Sequence, residues 1–141
     1  MHNHPIILNE RAAALAQYPH ARVVGPFVFV SGISCRRHDN SHEGVTIHPD
    51  GRVEKDIRSQ TQAVLDNIAI ILRAAGGDLQ DVVDCTVFLT DMKDYGGMNE
   101  VWNRTFAKDT APARTTVGVR ELPHPNLLVE MKVVAVARSQ A

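Results

Sequence analysis

Residues 56–90 read DIRSQTQAVLDNIAIILRAAGGDLQDVVDCTVFLT, and within this stretch the hydrophobic period changes from helical to extended. Ile57, Thr61, Val64, Leu65, Ile68, Leu72 and Ala75 recur at three- and four-residue steps, while Glu54, Lys55, Arg58, Gln62, Asp66 and Arg73 occupy the other face. That is the pattern of a helix with one buried stripe. Gly76-Gly77 follows as a C-terminal stop. From Val82 to Thr90 the residues alternate, with Val83, Cys85, Val87 and Leu89 on one side and Asp84, Thr86 and Phe88 on the other. This is a strand with cover on both sides.

Downstream, Tyr95, Met98, Trp102 and Phe106 form a second helical stripe that starts at Asp91 or Asp94, with Gly96-Gly97 weakening its first turn. Pro112 breaks the chain, and two more strands follow, Ala113 to Arg120 and Leu127 to Ala137, joined by the loop Leu122-Pro123-His124-Pro125-Asn126. Upstream, Arg22-Val23-Val24 and Phe27-Val28-Phe29-Val30 flank Gly25-Pro26 and predict a hairpin. Residues 1–9 read as a loosely held lead-in, and Glu10 to Gln17 as a short helical turn stopped by Tyr18-Pro19. Gly32 to Arg52 is a long polar loop, with the turn Pro49-Asp50-Gly51 closing a short strand around Val45-Thr46-Ile47. The expected division is a lead-in over residues 1–20 and one domain over residues 21–141.

The order ββ, a short third β, then αβαββ calls for both hairpins and crossovers. It predicts an α+β fold: a mixed sheet with both helices packed on one face. The other face is left bare, and Leu128 to Val136 is apolar on both sides except at Glu130 and Lys132. A face of that kind predicts self-association into a ring of identical subunits.

Composition narrows the function. The chain has 141 residues, suited to one domain, and 15 Lys+Arg against 16 Asp+Glu give a net charge of −1, with no like-charge run beyond Arg36-Arg37. A nucleic-acid or polybasic membrane surface is disfavoured. Two separated cysteines, Cys35 and Cys85, point to a reducing compartment rather than a disulfide scaffold. No apolar stretch approaches the roughly 20 residues that span a bilayer, and the N-terminus lacks a leader pattern, so the expected location is the cytoplasm. Gly-x-Gly-x-x-Gly, Walker and His-Glu-x-x-His patterns are absent, which argues against a nucleotide cofactor. His38, His42 and His48 lie in a loop without a completing ligand set, so no metal is expected.

Charges inside apolar strands carry the functional signal, since an unpaired buried charge demands a partner or ligand. Arg114 opens one C-terminal strand and Glu130 lies within the other. If these strands are neighbours, the two side chains border one pocket. Two readings stay open, a structural ion pair and an anion site with a carboxylate beside it to orient or deprotonate water. Ser31-Gly32 directly follows a strand, and its backbone N–H groups are candidates to cradle a carboxylate. Cys35 and Cys85 read as inert thiols.

Phe29-Val30-Ser31-Gly32, Gln60-Thr61-Gln62-Ala63, Val82 to Leu89, Asn99-Glu100, Pro112-Ala113-Arg114-Thr115-Thr116-Val117 and Val129-Glu130-Met131 together resemble the RidA/YjgF family of reactive-intermediate deaminases. Ser31 to Asn40 and Arg120 to Pro125 are similar to the 2-aminomuconate deaminase subgroup. The resemblance implies a chorismate-mutase-like subunit of about six strands and a homotrimer, alone or stacked as two trimers, with active sites at the subunit interfaces. It also implies hydrolysis of enamines or imines without metal or organic cofactor. The family's carboxylate-binding arginine falls on Arg114 and its water-orienting glutamate on Glu130. Thr116 stands where many members carry Cys. Substrate contacts are expected from Ser31, Gly32, Ser34, Thr116 and His124, and from Arg36 or Arg37 for the second carboxylate of an aminomuconate. The alternatives are a general 2-imino acid deaminase and a non-catalytic ligand-binding or holdase trimer.

Overall fold

The computed structural model describes residues 3–137. Eight strands and two helices run in the order β1 (Asn3–Ile6), β2 (Ala21–Val24), β3 (Phe27–Val30), β4 (Val45–Ile47), β5 (Val53–Lys55), α1 (Ile57–Ala74), β6 (Val82–Leu89), α2 (Tyr95–Thr105), β7 (Ala113–Gly118) and β8 (Val129–Val136). Six strands form one sheet in the order β1-β2-β3-β8-β6-β7, and β4 pairs with β5 as a separate hairpin. Only β6 and β7 run parallel; every other pairing in the sheet is antiparallel. The α+β class, the mixed sheet and the two helices agree with the expectation.

Helix α1 begins where Asp56 accepts hydrogen bonds from the N–H groups of Arg58 and Ser59, satisfying donors that the first turn leaves free. It ends where Gly76 takes a φ of 86° and the Gly77 N–H reaches back 2.9 Å to the Leu72 carbonyl. The helix buries Val64, Leu65, Ile68, Ile71 and Leu72 against Val28, Val30, Val87, Met131 and Val133 of the sheet. Helix α2 adds Met98, Val101, Trp102 and, just beyond its end, Phe106. Gly97 lets the two helices close up, since a Cβ there would stand 2.7 Å from Ile57 Cγ2.

Five expectations are corrected. Residues 3–6 are not a loose lead-in: they form the edge strand of the sheet, pairing Asn3 to Val24 through Ile6 to Ala21. Glu10 to Gln17 forms turns and bends rather than a helical turn. A run so short gains too few internal hydrogen bonds to offset helix nucleation, and its carbonyls are taken elsewhere, Ala12 O by His20 Nε2 at 2.8 Å and Ala13 O by Arg36. Glu54 and Lys55 lie in β5, opposite Thr46 and Val45, and not on the outer face of α1. A β-bulge between Val82 and Asp84 turns Val82 inward and leaves Val83 47% exposed, so the inward set is Val82, Cys85, Val87 and Leu89. Finally, β7 and β8 are not neighbours, because β6 lies between them. That last correction reshapes the site.

Candidate active site

Registers fix where the two charged strand residues point. Arg114 pairs with Cys85 across the parallel ladder, and Cys85 is buried against the helices. Glu130 pairs with Phe88 across the antiparallel ladder. Cys85 and Phe88 are three residues apart on one strand of period two, so Arg114 and Glu130 lie on opposite faces of the sheet. They do not border one pocket within a chain, and the intrachain ion pair is overturned.

Arg114 sits on the helix side at the sheet edge. Its guanidinium carbon lies 4.8 Å from the Trp102 ring centroid and 5.7 Å from that of Tyr95, and its nitrogens donate to Met98 Sδ at 3.6 Å and Tyr95 Oη at 3.3 Å. Among the described residues no carboxylate pairs with it. The rings hold the cation from its faces. Two places along the same face, Thr116 Oγ1 is buried without a hydrogen-bond partner. The cation and the buried hydroxyl thus lie two places apart on one face of β7.

Glu130 lies on the far face, in a cleft of about 300 Å³ with Gly32, Ser34, Arg36, Asn40, His42, His124 and Leu127. Its carboxylate has no hydrogen bond or ion pair with the described residues, and burial alone raises its pKa above the ordinary carboxylate range. Gly32 is the residue that admits it, because a Cβ there would stand 2.1 Å from Glu130 Oε1. Gly32→Ala is therefore expected to push the carboxylate out of position. In a melting measurement the variant should keep a thermal midpoint close to the wild type's, since the displaced atom is the far end of a flexible side chain.

The remaining candidates separate. Ser31 Oγ donates to the Pro19 carbonyl at 2.8 Å, a structural tie. Ser34 Oγ accepts the Arg36 N–H at 3.3 Å. Arg36 enters the cleft, held by Asn40 Oδ1 at 2.7 Å and the Ala13 carbonyl. Arg37 does not line this cleft: it is paired with Glu43 at 2.7 Å and bonded to Ser41. Of the two arginines, only Arg36 lines this cleft. His124 lies in the cleft, its Nδ1 accepting the Asn126 N–H at 3.0 Å.

Sequence reasoning missed three contributors. The sequence pattern marks His42 only as a metal candidate, yet its ring lies 4.4 Å from that of His124. Tyr18, read as a helix stop, lines the cleft. Gln60, wholly buried on α1, donates to the Asn126 carbonyl and accepts from the Leu128 N–H, both at 2.9 Å, so it ties the His124 loop to the helix. Its signal was visible as an amide on an apolar stripe. Burial raises the Cys35 thiol to about 11 and Cys85 to about 12, which keeps both protonated and unreactive at neutral pH. Among the described residues no group of three His, Cys, Asp or Glu is placed to hold a metal ion.

An α+β chain carries one cation without a carboxylate partner on the helix side of its sheet and one buried carboxylate in a cleft on the other face. The chain belongs to the RidA/YjgF family. The family model described as Endoribonuclease L-PSP matches residues 8–137. A RutC family protein of Pyrococcus abyssi is 38% identical over 133 residues, 92% of this chain and 94% of its own length. RidA of the Antarctic bacterium Psychrobacter sp. superposes with a TM-score of 0.77 at 30% identity, over 94% of this chain and 98% of that one. E. coli TdcF, solved with bound serine, gives 0.77 at 29% identity, over 96% and 99%.

Proposed function

We propose that this protein is a hydrolytic deaminase of enamine and imine carboxylates, with 2-aminomuconate as its substrate. The observation that carries the reading is the unpaired Arg114 on one sheet face and the unpaired, buried Glu130 on the other. No single chain presents both to one small molecule, so a second copy is required. The bare face supplies the means: Phe27 and Phe29 are 44% and 41% exposed, in the same open layer as Val134 and Val136. A homotrimer that covers this face would set the Arg114 half-site of one subunit against the Glu130 cleft of the next. The retention of serine by TdcF is in keeping with a small-carboxylate site. In this reading the protein is cytoplasmic; among the described residues no helix is long and apolar enough to cross a membrane.

The chemistry follows from these groups. Arg114 holds the carboxylate next to the C–N carbon. A solvent proton added to C5, the far end of the dienamine, gives an iminium at C2. Water oriented by Glu130 loses a proton to that carboxylate as its oxygen adds to C2, and the proton then passes to nitrogen. The N-protonated carbinolamine expels ammonia, its hydroxyl proton returns to solvent, and a ketone remains. In sum, 2-aminomuconate and water give 2-oxohex-3-enedioate and ammonia.

The presence of Arg36 in the Glu130 cleft, with His42 and His124 beside it, favours a substrate with a second anionic group over a monocarboxylate. An RNA substrate, which the family description raises, is disfavoured by a net charge of −1 and the lack of a basic run. Ammonia release decides the matter. Faster turnover of 2-aminomuconate than of 2-iminobutanoate is the expected result. The reverse order would make the protein a general 2-imino acid deaminase, and no release from either would leave a binding protein.

A further inference from the structure

His42 is only 6% exposed, and neither of its ring nitrogens is hydrogen-bonded to another described residue. It lines the Glu130 cleft and lies ring to ring with His124, 4.4 Å between centroids at 41°. His124 is differently placed. Its Nδ1 accepts the Asn126 N–H at 3.0 Å. Of the two imidazoles, His42 is the buried one, with neither ring nitrogen engaged by another described residue.

The groups around His42 are mostly cationic. Arg36 and Arg37 come from its own loop, with Glu43 next in sequence already bound to Arg37. His124 comes from the loop before β8, Glu130 from β8 itself, and Tyr18 from the segment before β2. Burial lowers the His42 pKa below the ordinary histidine range, and His124, Arg36 and Arg37 lower it further. A ligand carrying carboxylates reverses that balance.

We infer that the His42–His124 pair is a proton-coupled recognition element, and that the cleft takes up a proton onto His42 when a dicarboxylate enters. This rests on the dicarboxylate reading above. The uptake is a binding equilibrium: a solvent proton forms a bond to a ring nitrogen of His42, the ring becomes cationic, and the anion in the cleft balances it. The element gives the site a preference for dianions, since a monoanion seated at Arg114 would leave His42 neutral.

Calorimetric titration of the full chain with trans,trans-muconate, which lacks the amino group, tests this in phosphate and in Tris at pH 7. The expected result is binding with uptake of a substantial fraction of a proton, and a Kd that tightens by up to about tenfold per pH unit as pH falls, for each proton taken up. His42→Phe, which keeps the ring stack, should bind muconate with the uptake and pH dependence abolished. His42→Asn serves if the Phe variant does not fold. Sorbate, with one carboxylate, should bind without uptake. Muconate binding with no uptake overturns the inference and leaves the dicarboxylate reading standing. Uptake that persists in both His42 variants and vanishes in Glu130→Gln also overturns it, making Glu130 the acceptor. Failure of muconate to bind at all overturns the dicarboxylate reading, and the inference falls with it.

Discussion

Arg114→Ala is expected to lower kcat/KM for ammonia release by about a hundred- to a thousand-fold, because truncating one partner of a desolvated charge pair costs about 2–5 kcal/mol. The side chain is held by ring faces and by Tyr95 and Met98, and among the described residues no carboxylate is left stranded when it goes. Fold and assembly should therefore survive. The loss of the aromatic contacts amounts to about 0.5–2 kcal/mol, a fall of a few degrees in thermal midpoint. Arg114→Lys should recover only part of the activity, since a point charge does not grip a carboxylate at two places. Kinetics alongside size-exclusion and melting measurements check this, and a folded, fully active Arg114→Ala protein would falsify the assignment.

Replacing Glu130 with Gln keeps the shape and removes the proposed base. General acid–base groups contribute roughly 10²–10⁴-fold, and the loss should fall on kcat while substrate affinity changes little. The pH profile gives the sign. Burial raises the Glu130 pKa, and the proposed base is its ionised form, so wild-type turnover should rise as pH climbs through that raised value. The Gln variant should lose this limb. Stability runs the other way: a carboxyl with a raised folded-state pKa stabilises most when protonated, below its unfolded-state pKa, and that contribution disappears as pH passes the folded value. At neutral pH, Glu130→Gln should accordingly be as stable as the wild type or more so. A variant that unfolds while its folded fraction keeps full specific activity would show a structural glutamate.

Much of this architecture is readable from local pattern. Helix α1 declares itself by its stripe and its glycine stop, the Gly25-Pro26 hairpin by two β-rich runs, and β6 by alternation. The errors share a cause, which is that tertiary partners outvote local propensity. Asn3 to Ile6 has little strand signal of its own and becomes one by pairing with β2. Ala12 and Ala13 favour a helix, but His20 and Arg36 take their carbonyls. Val83 keeps its alternation on paper, while one extra residue in the ladder turns it outward.

The candidate site divides in the same way. Arg114 and Glu130 are conspicuous as charges in apolar strands, and Gly32 as a glycine just past a strand, because desolvation cost and side-chain volume are properties of residue type. Which side chains meet depends on strand order and register, which no stretch of sequence contains. The insertion of β6 between β7 and β8 places Arg114 and Glu130 on opposite faces. The fold around Gln60 carries His124 to His42, 82 positions away by their numbering. The chemical types came from the chain; their division into two half-sites came from the sheet, because period-two strands commit each side chain to a face only once the pairing is chosen.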